Sequence, residues 1–314
     1  MNKKIILSFI IFALCLTDTG RAKEPIKIVT TIGQITDVTK IIGGERVNVE
    51  GLMGPGVDPH LYKATESDVT KLAEADIIFY NGLFLEAKME PIFKRLERNK
   101  LIVAVSDDIP RDLLLDSETF SGHYDPHIWF DVTLWIKIVR KITETLIASD
   151  PVFREEYESR ANQYMTKLLY LDNYVKTRAE EVPELQRVLV TAHDAFRYFG
   201  RKYGFEVVGL QGVSTESEAG ARDVRELADF ITKRKIKAIF IESSVPERNI
   251  KAVQEAVRAR NWNVKIGGEL FSDAMGDAGT PKGTYVGMVT HNIDTIVDAL
   301  KIDKDEIIEM EQKR

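Results

Sequence analysis

The sequence predicts two α/β lobes joined by one long helix, and three observations predict it. Short apolar runs rich in Val, Ile and Phe recur four times in each half, with segments of helical period between them. Most of these runs are apolar on both faces, as strands of a parallel sheet covered by helices on both sides must be. Between the halves lies a stretch in which apolar residues step by three and four with no Pro or Gly. The length, 314 residues, suits two units of ~150 residues each.

The chain opens on a leader. Lys3 and Lys4 precede an apolar run over residues 5–16 that only Ser8 breaks, and polar Thr17, Asp18 and Thr19 follow. Gly20-Arg21-Ala22 then places small residues at both positions that a signal peptidase inspects. A bilayer span needs ~20 residues, so residues 1–22 read as a secretory signal cut after Ala22. A buried N-terminal helix is the alternative. The single cysteine, Cys15, lies inside this segment, and Leu14 stands where a lipid-attachment site carries a small residue, which disfavours lipidation.

Cleavage there removes three cations and one anion, taking the formal net charge from −6 to −8. Nucleic acid is a poor partner for such a chain, because it demands a basic face. The mature chain also has no cysteine. Disulfides, zinc–thiolate sites and iron–sulfur clusters are thereby excluded, and any metal falls to His, carboxylate or carbonyl groups.

The first lobe is expected over residues 23–148, with strands at 26–32, 47–53, 77–80 and 101–105 and a helical segment at 68–74. Ser149-Asp150-Pro151 then offers an N-cap and a Pro at the first helical position. Phe153, Tyr157, Ala161, Tyr164, Leu168, Leu171 and Val175 trace one face of the helix that follows. Without a break until Pro183, that helix of ~32 residues would run ~48 Å. It is expected to be the connecting strut, over 149–184, since no other segment of similar length is evident. A strut without a hinge residue favours small lobe tilts over a wide clamp. The second lobe, over 185–314, carries strands at 188–191, 205–210, 238–241 and 264–266 and a helical segment at 224–233.

Three of the five histidines sit in loops beside these strands. His60 closes GLMGPGVDPH over 51–60, His127 lies in DPHIWFD over 125–131, and His193 follows the strand at 188–191. Loops at the carboxyl ends of parallel strands are where α/β folds place ligands. Asp-Pro-His occurs twice; Pro fixes the backbone and Asp braces a turn, although Asp-Pro is also a plain turn signal. Spacing alone leaves structural and ligand roles open for each His. No nucleophile elbow, Walker loop, His-Glu-x-x-His or nucleophilic Cys occurs in the mature chain. The glycines at 276, 279, 283 and 287 match no phosphate loop.

Taken together and in order, GLMGPGVDPH (51–60), DPHIWFD (125–131), VTAHDAF (190–196), IESS (241–244) and GELFSDAMG (268–276) resemble the metal-binding solute-binding proteins of ABC transporters, the cluster that takes up zinc and manganese. The resemblance runs from about Lys27 to Leu300. It implies two four-stranded α/β lobes joined by one helix, with the metal between them. It also implies two ligands from each lobe, His60 and His127 from the first and His193 and Asp273 from the second. Asp277 competes for the last role, but Asp273 fits the motif; His123 and His291 match no ligand position. Members dedicated to manganese typically carry Glu in place of His193, so zinc is the first expectation and manganese the second. A His-rich loop, usual in zinc-dedicated members, is missing, since residues 111–126 hold only His123.

Three imidazoles and one carboxylate leave a divalent ion with about one residual positive charge, which Glu242, just past a strand end, would offset from behind a ligand; a capping or loop role is its alternative. The implied task is capture of one ion outside the cytoplasm by a monomer. Delivery is to a membrane permease with a separate ATPase. The protein is expected in the periplasm or at the outer face of the cytoplasmic membrane. Affinity is expected to fall below pH ~6.5 as His protonates. A metalloenzyme is disfavoured, because four ligands close the position a catalytic zinc keeps open. An adhesin with the metal as a structural staple is the alternative.

Overall fold

The structure, a computed structural model, describes residues 24–117 and 121–301. The expected leader and Cys15 lie outside them. In the first half, β1 (Ile26–Thr30), β2 (Val47–Gly51), β3 (Ile77–Tyr80) and β4 (Leu101–Ala104) form one parallel sheet in the order β2-β1-β3-β4. The chain leaves β1 first to one side and then to the other, so the sheet has a switch point between β1 and β3. Helices α1 (Gly33–Gly43), α2 (Glu66–Glu74) and α3 (Glu90–Leu96) make the crossovers, and α4 (Val132–Ser149) follows. The start of α2 is set by a capping box, with Asp68 N–H donating to Thr65 Oγ1 at 3.2 Å and Thr65 N–H to Asp68 Oδ2 at 2.8 Å.

The strut is α5 (Arg154–Ala179), 26 residues long and shorter than expected. Pro151–Phe153 forms a 3₁₀ turn ahead of it. At the far end Glu181 and Val182 donate to carbonyls three residues back, Arg178 and Ala179. Pro183 disfavours α geometry at the residue before it, and the last turn tightens accordingly. The anticipated apolar face from Tyr157 to Val175 is buried, as is Ala179. It meets α1, α4 and α9 (Tyr285–Leu300), so the strut is one member of a helical layer and has companions the sequence reading did not anticipate.

In the second half, β5 (Val188–His193) pairs with β6 (Glu206–Gln211), and β7 (Ala238–Glu242) with β8 (Lys265–Leu270), all parallel. Helices α6 (Arg197–Tyr203), α7 (Ala221–Arg234) and α8 (Arg248–Arg258) cover them. The four expected strands are all present, as two hydrogen-bonded pairs with β5 beside β7. Where those two strands end, the Glu242 side chain spans the gap by accepting the His193 N–H at 2.8 Å.

One apolar core runs from the first sheet through α1, α4 and α5 into α6 and α9, and includes Ile28, Trp135, Leu168, Phe196 and Tyr285. A smaller one, with Val190, Leu227, Ile239 and Val253, lies between the second-half strands and α7 and α8. The halves therefore share buried apolar surface. Buried polar ties join them too: Trp129 Nε1–H donates to the Ser272 carbonyl at 3.0 Å, and the Tyr285 hydroxyl to the Trp129 carbonyl at 2.7 Å. An interface of this kind resists separation.

Candidate metal centre

Four side chains converge where the carboxyl ends of the two sets of strands face each other. His60 comes from the loop after β2, His127 from the segment after β4, His193 from the last position of β5 and Asp273 from the loop after β8. One ligand atom from each lies within 4.8 Å of the others, and all four residues are buried. Nε2 of His127 stands 3.3 Å from Nε2 of His60 and 3.4 Å from Nε2 of His193. Asp273 presents Oδ1 to His127 Nε2 and Oδ2 to His193 Nε2, each at 3.3 Å. His123 and His291 are not in the cluster: the His123 ring lies tilted against Phe84, and the His291 ring Nε2 lies 2.9 Å from the Glu269 carbonyl.

The local sequence explains how each of these side chains is held. In DPHIWFD, Asp125 Oδ1 accepts both the His127 N–H at 3.0 Å and the ring Nδ1–H at 2.7 Å. A carboxylate only accepts, so when His127 is neutral its proton sits on Nδ1 and the Nε2 lone pair faces the cluster. The three residues after His127 form a 3₁₀ turn, and Asp131 then caps α4 by accepting from Thr133 N–H at 2.9 Å. Glu242 does for His193 what Asp125 does for His127, taking the ring Nδ1–H at 2.5 Å. Gly209 on β6 makes room beneath: a Cβ there would come within 2.5 Å of the Asp194 nitrogen. Asp273 is fixed from both halves, its carbonyl accepting from Gln34 Nε2 at 3.1 Å and its Oδ2 lying 3.3 Å from the donating Ser244 hydroxyl. Its buried Oδ1 has no hydrogen-bond donor of good geometry among the described residues.

Electrostatics separates the histidines. Burial would lower all three, and it prevails at His60, which is pushed down to about 3. At His127 burial is overridden by the Asp125 and Asp273 carboxylates, which lift it to about 9. At His193 burial is likewise overridden, by Glu242 and Asp273, and the ring is held well above the ordinary range. Burial works against ionisation of Asp273 as well, but His193 and His127 hold it well below the usual carboxylate range. The expectation of proton competition below pH ~6.5 takes no account of these shifts. It rests on an unperturbed imidazole, whereas two of these rings stand beside buried carboxylates.

Asp125, Gln34, Ser244 and Gly209 escaped the sequence reading. Asp125 had a signal, since it precedes His127 in a tripeptide that recurs at 58–60. The others lie far along the chain from the ligands they serve or carry no side chain.

With that geometry in place, comparison with known proteins is decisive. The family described as "Zinc-uptake complex component A periplasmic", or ZnuA, matches residues 28–299. The chain belongs to the ZnuA family. Within the ZnuA family's wider circle of relatives, it is 57% identical over 273 residues to the zinc-binding protein TroA of Treponema pallidum, covering 87% of this chain and 88% of that one. It is 47% identical over 300 residues to the manganese-binding lipoprotein MntA of Bacillus subtilis, covering 93% and 97%. Among solved structures, the periplasmic zinc-binding protein TroA of Treponema pallidum matches with a TM-score of 0.87 at 56% identity, over 88% of this chain and all of that one. ZnuA-family membership makes this a metal-uptake component rather than an enzyme.

Proposed function

We propose that this protein captures one zinc ion between its lobes, held by His60, His127, His193 and Asp273, and delivers it to the permease of an ABC transporter driven by a separate ATPase. One observation carries the choice of metal. Spacings of 3.3 to 3.4 Å run from His127 Nε2 to His60 Nε2, His193 Nε2 and Asp273 Oδ1, close to the edge of a regular tetrahedron whose corners stand ~2.0–2.1 Å from its centre, the Zn–N distance. Three imidazoles and one carboxylate suit zinc better than manganese, which favours six oxygen-rich ligands and binds more weakly to nitrogen sets. Manganese is the second ion the site would accept, as the likeness to a manganese-binding relative supports.

Carboxylates behind two of the rings match the arrangement that fixes imidazole orientation at metal sites. All four side chains are buried, which suits a carrier that sequesters its cargo. The mature chain works as a monomer outside the cytoplasm after removal of residues 1–22; among the described residues no helix is long and apolar enough to cross a membrane.

The test uses residues 23–314 stripped with chelator and then offered one equivalent each of zinc and manganese. Elemental analysis of the bound metal is expected to find one equivalent, predominantly zinc, and to find it lost in His193→Ala. A wild type that retains no metal would overturn the carrier reading.

A further inference from the structure

The four ligands are not equally shielded. His60 is 5% exposed, whereas His127 and His193 are fully buried and Asp273 is 1% exposed. A small cavity lies against His60, walled on one side by Leu83, Phe84 and Ala87 and on the other by Val213, Ser214 and Glu216. The second wall is the loop that follows β6, at 213–216. It is braced within itself, because Gln211 Nε2 donates to the Ser217 carbonyl at 3.1 Å and Glu216 N–H to Ser214 Oγ at 3.3 Å. Two bonds tie this loop to the first lobe. Thr215 Oγ1 donates to Asp58 Oδ2 at 2.6 Å, and Lys88 Nζ lies 3.2 Å from Glu216 Oε1.

Asp58 faces both ways. Its other oxygen accepts the backbone N–H of His60 at 2.9 Å, so the loop of the second lobe and the ligand of the first hang on one carboxylate. The approach from the Asp273 side is built differently. A cavity of about 350 Å³ reaches Asp273 there, but the chain around that residue is pinned by buried bonds from Gln34 and Trp129 to the carbonyls of residues 273 and 272 and by a part-buried one from Ser243 to the carbonyl of residue 274. Neither bond that ties the 213–216 loop to the first lobe is fully buried, whereas two of the three that pin the chain at Asp273 are.

Building on the carrier reading above, we propose that the 213–216 loop is the gate through which the ion enters and leaves, that the Thr215–Asp58 hydrogen bond latches it, and that Asp58 is a positioning residue coupling that latch to His60. A gate sets rates in both directions. A ligand sets affinity. The latch should therefore alter how fast the ion exchanges much more than how tightly it is held.

The experiment measures zinc uptake and chelator-driven zinc release by stopped flow for the wild type, Thr215→Val and Thr215→Ser. Loss of one hydrogen bond to a charged acceptor corresponds to about a tenfold faster release. Thr215→Val is expected to show that acceleration, with association speeding up alongside and one equivalent still bound. Thr215→Ser, which keeps the hydroxyl, should stay near wild type. Lys88→Glu should also speed release, and Lys88→Glu with Glu216→Lys should restore it; this pair decides the matter if Thr215→Val does not fold. Release unchanged in Thr215→Val, or in Lys88→Glu where that pair decides, would overturn the gate and place the path on the Asp273 side. Faster release with affinity weakened in full proportion would overturn it as well, since that is the mark of a lost ligand. A wild type that takes up no zinc is a separate outcome: it overturns the carrier reading itself before any rate is measured.

Discussion

The tripeptide Asp-Pro-His occurs twice in this chain, at 58–60 and at 125–127, and the two copies do different work. Both begin alike, with the Asp accepting the backbone N–H of the His two residues on, at 2.9 Å for His60 and 3.0 Å for His127. They part at the carboxylate. Asp125 uses the same oxygen to grip the ring of its own histidine at 2.7 Å, whereas Asp58 sends its second oxygen across the cleft to Thr215 at 2.6 Å. Among the described residues no carboxylate backs the His60 ring. A motif thus sets a local turn, and the fold decides what the spare acceptor does. One histidine ring is held by a carboxylate, and the other is held through its backbone N–H alone by the Asp of its own tripeptide.

The sharpest way to break this comparison is to remove each ring. Structural zinc sites bind with a free energy that, divided among four ligands, makes one ligand worth roughly a hundredfold to a thousandfold in affinity. His127, which neighbours all three other ligands, is expected to lose at least that much as His127→Ala in calorimetric zinc titrations. His60→Ala should lose less. Equal losses would mean that the brace behind His127 adds nothing.

Protons separate the two copies next. A metal accepts only neutral imidazole, so a ring protonated in the free protein must release its proton on binding. His127, raised to about 9, and His193, raised well above its ordinary value, are charged at neutral pH, while His60, lowered to about 3, is not. Zinc addition at pH 7 should expel about two protons, with affinity falling as pH falls, by about tenfold per pH unit for each proton displaced. Titration in two buffers of different ionisation enthalpy checks this, and release near zero would contradict it. The stability consequence has the opposite sense. For a ring whose folded pKa is raised, the stabilisation is complete below its unfolded value of ~6.5 and is lost as pH rises through the folded value. The Tm of the metal-free protein is expected to fall between pH 6.5 and about 9 on account of His127, and that of the zinc-loaded protein to fall less.

Charge behind the ring gives a smaller effect. Removing such a partner costs roughly 10–100-fold in metal affinity. Asp125→Asn and Glu242→Gln are expected within that range by competition against a chelator of known affinity, whereas Asp58→Asn, which keeps an acceptor for the His60 N–H, should hold zinc nearly as well as wild type. The smallest effect is reserved for His123, which packs against Phe84 and is not among the four clustered side chains. His123→Ala should leave zinc affinity within about twofold, the scale of an ordinary surface substitution.

Much of this was legible in the sequence because burial leaves a periodic trace. The β5 run, Val188–His193, is buried at every position, and continuous apolarity is the mark of such a strand. The strut was legible for the same reason, through apolar residues at helical steps from Tyr157 to Val175. Its true ends were not, since a proline announces a boundary without saying which turn tightens first. The division of the second-half strands into two pairs also left no trace, because hydrogen-bond partners are not encoded in apolarity. At the site, His60, His127, His193 and Asp273 were named from the resemblance; spacing alone left each one open. What no pattern revealed was the direction of a single carboxylate. Asp58 and Asp125 sit in identical tripeptides, and the difference lies in the neighbour the fold presents, Thr215 for one and the His127 ring for the other.

The most direct test of the central claim, that these four side chains form one tetrahedral metal site, is X-ray absorption at the zinc edge on the loaded protein beside His193→Ala. The account predicts a shell of three imidazole nitrogens and carboxylate oxygen at ~2.0–2.1 Å, with a nitrogen missing in the variant. A six-coordinate, oxygen-dominated shell, or a shell that the variant leaves unchanged, would contradict it.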